Sequence, residues 1–476
     1  KQSRMKLTFW GAARQVTGSM HMLQLDNGYT ILVDCGLDYE RRDDFDANNR
    51  NFPFLPEEID LVILTHAHID HSGNLPNLIR QGYRGQILCT DASLELTKNL
   101  LLDSLNVQRI ESNKKHRPKK SKGKIKVKRL NKSEQLATLY NRSHVEQTYD
   151  AMVGLNFYQP FAVNEHITLE FHEAGHILGA ASVKLTITEN GTTKVIGFTG
   201  DLGNYNAKLV VDPQPMQGLD YLISESTYGG RLHHDSTDAE QMLLEYINNT
   251  CVKFKGKLVI PAFSVGRTQS IIFTLNQLYI KGLLPDVKIF TDSPLAIRTT
   301  RLYAEHLSLL NDEAKAFYKA NGNLFQFPNL YTMEGEVDSK MISTMPEPAV
   351  IISAAGMVEG GRIQEHVRNN IGDAYSTILI AGYCAEGTLG YELLKGRPSL
   401  MINKRERQVY AKVARTDAFS AHPDQAGLMK YYEGSNYKQL KKLFLVHGDE
   451  MSMEKLKAHI GLDSVEIPYQ EQSYTL

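Results

Sequence analysis

Short runs of β-branched and aliphatic residues recur along the chain, and many end in a polar cluster. Tyr29–Val33 leads into Asp34, Leu61–Thr65 into His66, and Val195–Thr199 into Gly200 and Asp201. Tyr221–Ile223 leads into Ser224 and Glu225, and Leu443–Val446 into His447. Apolar runs of this length, without helical periodicity, predict buried strands. Polar residues just past a strand end lie on the rim of a sheet, where α/β folds place their sites. Between about residues 257 and 397 the rhythm becomes regular. Lys257–Ile260, Val287–Phe290, Val350–Ile352 and Thr377–Ile380 are each followed by a loop and then a helical pattern. This repeated β-loop-α unit predicts a parallel sheet covered by helices, forming a domain of its own.

Composition changes this picture little, and charge changes it more. The chain has 476 residues, an ordinary 42% of them hydrophobic, and 53 Lys+Arg against 54 Asp+Glu for a formal net charge of −1. Its length allows two to four domains, and its cores need no disulfide or metal staple. The neutral total conceals a basic strip from Lys114 to Arg129, which holds ten Lys/Arg and no acidic residue. With few apolar residues, the strip reads as a solvated loop or arm inserted at about 113–130. No apolar stretch is long enough for a membrane helix, and the start of the chain has no signal-peptide pattern. The four cysteines are far apart and form no CxxC pair, which fits reduced thiols in a cytoplasmic protein.

The strongest chemical signal is His66-Ala67-His68-Ile69-Asp70-His71. This HxHxDH stretch puts three imidazoles and a carboxylate directly after a predicted strand, offering the N/O ligands that zinc prefers. Candidates to complete the site are His176, in the small-residue loop Glu173–Ala180, Asp201, which could bridge two ions, and His447. His144, His166, His172 and His366 are read as structural.

Taken together, Asp34, the HxHxDH motif, His176 and Asp201 resemble, in order, the metal-site motifs of the metallo-β-lactamase superfamily. Glu225 in Ser224–Gly229, His422 in Phe419–His422, and His447 in Leu445–Gly448 are similar to the three further motifs of its β-CASP nucleases. His447 is a feature of the RNA-processing branch, which includes the mRNA 3′-end cleavage nuclease and its prokaryotic relatives. Pro261–Arg267, Asp292–Ala296 and Ser353–Met357 resemble the inserted β-CASP domain. The resemblance implies an α/β fold in which a metallo-β-lactamase αββα sandwich is interrupted by a β-CASP domain of parallel-sheet type. The expected divisions are 1–225 and 401–476 for the sandwich and 226–400 for the insertion.

The same resemblance implies two zinc ions per chain. One would be held by His66, His68 and His176, the other by Asp70, His71 and His447, with Asp201 between them and a bridging hydroxide as nucleophile. Asp34 is then expected to hydrogen-bond a ligand, His422 to act as general acid, and Glu225 to orient it. Ser264, Gly266, Arg267, Ser353 and Gly356 lie on strand-to-helix loops of the insertion and are expected to grip phosphate. The expected substrate is single-stranded RNA, hydrolysed at its phosphodiester bonds; no membrane partner is expected, and a homodimer is one assembly the chain allows. Three other readings are disfavoured. A small-molecule metallo-hydrolase lacks the insertion and the His422 motif. A catalytically weak RNA- or protein-binding scaffold loses ligands, whereas here every expected ligand position is filled. A DNA nuclease is disfavoured by His447.

Overall fold

A computed structural model describes residues 5–39, 45–115, 138–233, 238–402 and 405–476. Most of the basic strip, residues 116–129, lies outside these; its first two residues end the long helix Asp91–Lys115.

The predicted strands build two seven-stranded sheets. In spatial order the first comprises Ser473–Thr475, Lys6–Gly11, Met20–Gln24, Thr30–Val33, Leu61–Ile63, Gln86–Thr90 and Met152–Leu155. The second comprises Val465–Glu466, Lys442–Val446, Tyr221–Glu225, Thr192–Phe198, Ala181–Glu189, Ile167–Glu173 and Phe161–Ala162. Leu7, Leu23, Ile31 and Ile63 from the first sheet share one buried core with Leu169, Val183, Ile196, Ile223 and Phe444 from the second. Helix Leu75–Arg80 covers the outer face of the first sheet. Helices Gln425–Gly434 and Glu450–Ile460 cover the second. The result is the expected αββα sandwich.

Between Glu225 and the return of the chain stands a third, six-stranded sheet, parallel throughout. Its order is Leu330–Thr332, Lys288–Thr291, Ala349–Ser353, Lys257–Pro261, Thr377–Ala381 and Lys412–Thr416. Its four inner strands are near-continuously apolar and buried on both faces, as a helix-covered parallel sheet requires. The last strand moves a boundary. Lys412–Thr416 pairs along its whole length with Thr377–Ala381, so the inserted sheet runs to Thr416 and past the expected division at 400. Only Val413 and Ala414 are apolar in Lys-Val-Ala-Arg-Thr, which hides this edge strand from a search for apolar runs.

The two units meet over the loop Glu173–Ala180. Ile177 and Leu178 share a core with Val265 and Tyr303 of the insertion, and the Tyr303 hydroxyl accepts a hydrogen bond from Leu178 N at 3.0 Å. Within the sandwich, Phe444 is fully buried, with its ring 5.2 Å from that of Phe9 and 4.9 Å from that of Tyr474. Phe444→Ala should cost about 3–5 kcal/mol, seen as a lower denaturation midpoint in guanidinium; an unchanged midpoint would show that the two sheets do not depend on this contact.

Candidate metal centre

The site is built from the ends of neighbouring strands. Leu61–Ile63 delivers His66, a single helical turn at Ile69–Ser72 presents Asp70 and His71, and Ser72 closes that turn by donating Oγ to Ala67 O at 2.9 Å. The segment after Thr30–Val33 clamps the turn. Cys35 N donates to His71 O at 2.8 Å and Leu37 N to Ile69 O at 3.0 Å. Gly36 has to lack a side chain there, because a Cβ would lie 1.6 Å from Asp70 O. On the second sheet, Asp201 follows Thr192–Phe198 and His447 follows Lys442–Val446. Gly203 N binds Ala174 O at 2.7 Å and ties the Asp201 loop to the His176 loop; a Cβ on Gly203 would lie 1.7 Å from Gly175 O.

Seven ligand-type side chains converge in two groups, His66, His68, His176 and Asp201 in one and Asp70, His71 and His447 in the other. Within the first, His68 Nδ1 lies 3.2 Å from His66 Nε2 and 3.1 Å from His176 Nε2. Asp201 reaches both groups. Its Oδ2 is 3.5 Å from His66 Nε2 and 3.7 Å from His176 Nε2, and its Oδ1 is 3.2 Å from His71 Nε2 and 3.4 Å from His447 Nε2. His447 Nε2 is also 3.4 Å from Asp70 Oδ2.

Outer partners decide which ring nitrogen faces inward. His176 Nδ1 donates to the carbonyl of Ala421 at 3.1 Å, and His71 Nδ1 to Asp34 Oδ2 at 2.7 Å. Thr65 and Thr227 hydroxyls lie 3.1 Å from His66 Nδ1 and His447 Nδ1. Each of these imidazoles therefore turns Nε2 toward the centre, held as metal-ligating histidines are held. Asp34 is itself fixed by Thr65 N at 2.8 Å and Thr65 Oγ1 at 2.9 Å, and it takes the left-handed conformation that Asp tolerates (φ 62°).

The electrostatics suit a cation. Burial, with His71 alongside, holds His66 well below the ordinary imidazole range. Burial lowers His68 to about 4, and burial together with His422 keeps His176 low, so their lone pairs are available. Burial works against charge on Asp70, but His447 and His71 prevail and bring it down to about 2. Burial also opposes charge on His71, yet the carboxylates of Asp201 and Asp34 hold it well above its usual value, and a bound cation would take the place of a proton between His71 and Asp201. His71 Nε2 and Asp201 Oδ1 are buried and face each other without making a hydrogen bond. Buried polar atoms left this way are costly unless something else satisfies them. A divalent ion in each group would do so, and the donor set fits one.

His422 stands between the two groups, its ring centroid 4.6 Å from that of His176 and 5.9 Å from that of His447. Its Nδ1 bonds both oxygens of buried Glu225, at 3.0 and 3.1 Å. Strand Tyr221–Glu225 extends two residues beyond the predicted run, which sets Glu225 in register with Val446, next to His447. Burial opposes protonation of His422, but Glu225, then Asp201 and Asp70, raise its pKa above the ordinary value.

The residues expected to grip phosphate are less accessible than their loop positions imply. Ser353 is buried and donates its hydroxyl to Asp292 O at 2.8 Å, and Gly356 backs onto the Phe263 ring, which a Cβ would approach to 2.9 Å. Arg267 is buried, with Nε bound to Phe419 O at 3.3 Å and its guanidinium over Phe263, where it brackets the loop before His422. These loops pack on one another, and the Ser353 hydroxyl and Arg267 Nε each donate within that packing. Ser264 and Gly266 stay nearer the cleft, Ser264 with Oγ 3.4 Å from Ser293 Oγ and Gly266 against Ile177. His144, His166 and His172 lie outside the metal groups, and His366 is buried against Asp292 at 2.6 Å in the inserted domain.

Family models match in the order of the fold. A metallo-beta-lactamase superfamily domain covers residues 22–196, a Beta-Casp domain 268–393, and a Zn-dependent metallo-hydrolase RNA specificity domain 406–468. Ribonuclease TTHA0252 of Thermus thermophilus is 31% identical over 97% of both chains. The chain belongs to the β-CASP group of the metallo-β-lactamase superfamily. Transcription termination factor FttA of Methanosarcina mazei is 29% identical, over 97% of this chain and 69% of that one. An RNase J-like protein of Methanocaldococcus jannaschii is 28% identical, over 93% and 92%. A solved structure of an Enterococcus faecalis protein of unknown function shares the fold, with a TM-score of 0.53 at 13% identity over 99% of this chain and 100% of that one. As a β-CASP protein, the chain is a metal-dependent hydrolase. Among the described residues no helix is long and apolar enough to cross a membrane.

Asp34→Ala frees the His71 ring and should weaken metal binding about 10–100-fold, measured by competition with a chromogenic chelator. Unchanged affinity would remove Asp34 from the site.

Proposed function

We propose that this β-CASP protein is a zinc-dependent ribonuclease that hydrolyses phosphodiester bonds of single-stranded RNA with two ions per chain. The observation that carries this reading is the position of Asp201, with one carboxylate oxygen turned to each of two histidine groups, beside a histidine anchored on a buried glutamate. The names of the ribonuclease relatives support RNA as the substrate. His66, His68 and His176 would hold one ion and Asp70, His71 and His447 the other, with Asp201 shared. When bound, such a pair supplies Lewis acidity to the phosphoryl oxygens and water activated at neutral pH.

The chain's own groups do the rest. Asp34 fixes the tautomer and aim of His71. Glu225 takes up Nδ1 of His422 and favours the imidazolium, leaving Nε2 to pass a proton to the sugar oxygen that departs. Buried Glu225 keeps its own geometry by accepting from Leu202 N at 2.6 Å. A cavity of about 250 Å³ opens beside His176, between the sandwich and the insertion, with Tyr205, Lys208 and Arg267 on its walls. A space of that size does not admit a duplex, so the reading favours recognition of splayed, single-stranded nucleotides.

His422→Ala should keep its zinc and lose about 10²–10⁴-fold in cleavage rate on single-stranded RNA, read by single-turnover kinetics alongside elemental analysis. Wild-type rates in this variant would remove the general acid from the mechanism.

A further inference from the structure

The segment that follows the acidic strand lies along the loop that carries His422. Tyr228 bridges to Asp424 in parallel fashion. Gln425 N donates to Arg231 O at 3.0 Å, and Gln425 Nε2 to Gly229 O at 2.7 Å. Arg231 Nη1 reaches Asp417 Oδ2 at 3.2 Å, and His233 N reaches Asp424 Oδ2 at 3.0 Å. Asp424 in turn caps helix Gln425–Gly434 through Gly427 N at 2.9 Å. These contacts tie the segment to residues on both sides of His422.

One side chain reaches the backbone of His422 itself. His233 Nε2 lies 3.0 Å from the His422 carbonyl oxygen. A carbonyl only accepts, so Nε2 carries the proton and the bond runs from His233 to His422. The other donor to that oxygen, Ser420 Oγ at 3.2 Å, belongs to the same loop and cannot tie it to anything else. The His233 side chain is about 10% exposed, and the Tyr228 ring stands edge-on to both imidazoles, 5.0 Å from His233 and 6.1 Å from His422.

We propose that His233 is a positioning residue for His422: its Nε2–H pins the backbone of the acid while Glu225 holds the ring. The inference rests on the ribonuclease reading and assigns a role to a residue outside the metal groups and the Glu225–His422 pair. Two anchors on opposite sides of one residue leave its Nε2 a narrow range of positions, and proton transfer depends steeply on such placement. Because the segment is held by its other bonds, loss of the His233 side chain leaves the segment in place and acts on the acid.

The test compares His233→Leu, which has no donor, with His233→Gln, whose amide nitrogen can reach the same carbonyl. Each is assayed on single-stranded RNA and on bis(p-nitrophenyl) phosphate, whose leaving group departs without a proton. In His233→Leu, kcat on RNA should fall at least tenfold with KM and bound zinc unchanged. The ratio of RNA to aryl-diester rates should fall with it, and His233→Gln should recover most of the loss. Equal losses on both substrates would make His233 a merely structural residue and overturn the proposal, as would wild-type RNA kinetics in His233→Leu. A wild-type protein that cleaves the aryl diester but not RNA would instead overturn the ribonuclease reading, and this inference with it.

Discussion

Buried nitrogen lone pairs aimed at one another repel unless something positive lies between them. The centre of this protein holds five imidazoles and two carboxylates in that arrangement, with neighbouring donor atoms 3.1–3.7 Å apart. Four of the five imidazoles, His66, His71, His176 and His447, have a polar partner at the far ring nitrogen, and Asp70 is set by the helical turn Ile69–Ser72. The surrounding structure meets this requirement. Two sheets stack so that their strand ends meet, Gly36 and Gly203 let backbones approach where a Cβ would collide, and Thr65, Thr227, Asp34 and the Ala421 carbonyl aim the rings. Binding a divalent cation turns the repulsion into coordination, which couples the site to the stability of the loops that form it.

The inserted domain bears on the same centre through few contacts. The start of helix Arg267–Ile280 brings Gly266 and Arg267 against the His176 loop and the Phe419 carbonyl, and the last strand of the insertion, Lys412–Thr416, leads directly into the segment carrying His422. The insertion therefore touches both the loop of the proposed acid and the cleft. The segment Ser226–His233 bridges the same gap from the opposite direction, leaving the acidic strand and running beside the His422 loop before the chain enters the insertion.

Much of this is legible in the sequence because the ligand residues sit at strand ends, and apolar runs terminating in His or Asp mark those ends. The HxHxDH turn, His176, Asp201 and His447 can be picked out one by one, and the structure gathers them. Other features depend on contacts between distant segments. The hydroxyl of Ser353 is taken by the Asp292 carbonyl and Gly356 is a packing glycine under Phe263, although both lie on loops of the right kind for phosphate. Strand Lys412–Thr416 lies at a sheet edge, has only two apolar residues, Val413 and Ala414, and carries no buried-strand signature. His233 looks like any surface-loop histidine until Asp424 and the His422 carbonyl come up beside it. The residues flanking Glu225 were the available hint, since a buried carboxylate at a strand end needs neighbours that keep its partner in place.

On the proposed reading, two ions at this centre make the chain an RNA-cleaving enzyme. The direct measurement is to strip the protein with a chelator, add zinc back in steps, and follow the products from an end-labelled single-stranded RNA. The stripped protein should not cleave, and activity should saturate at two zinc ions per chain. Full cleavage by the stripped protein, or none at any zinc level, would contradict that reading.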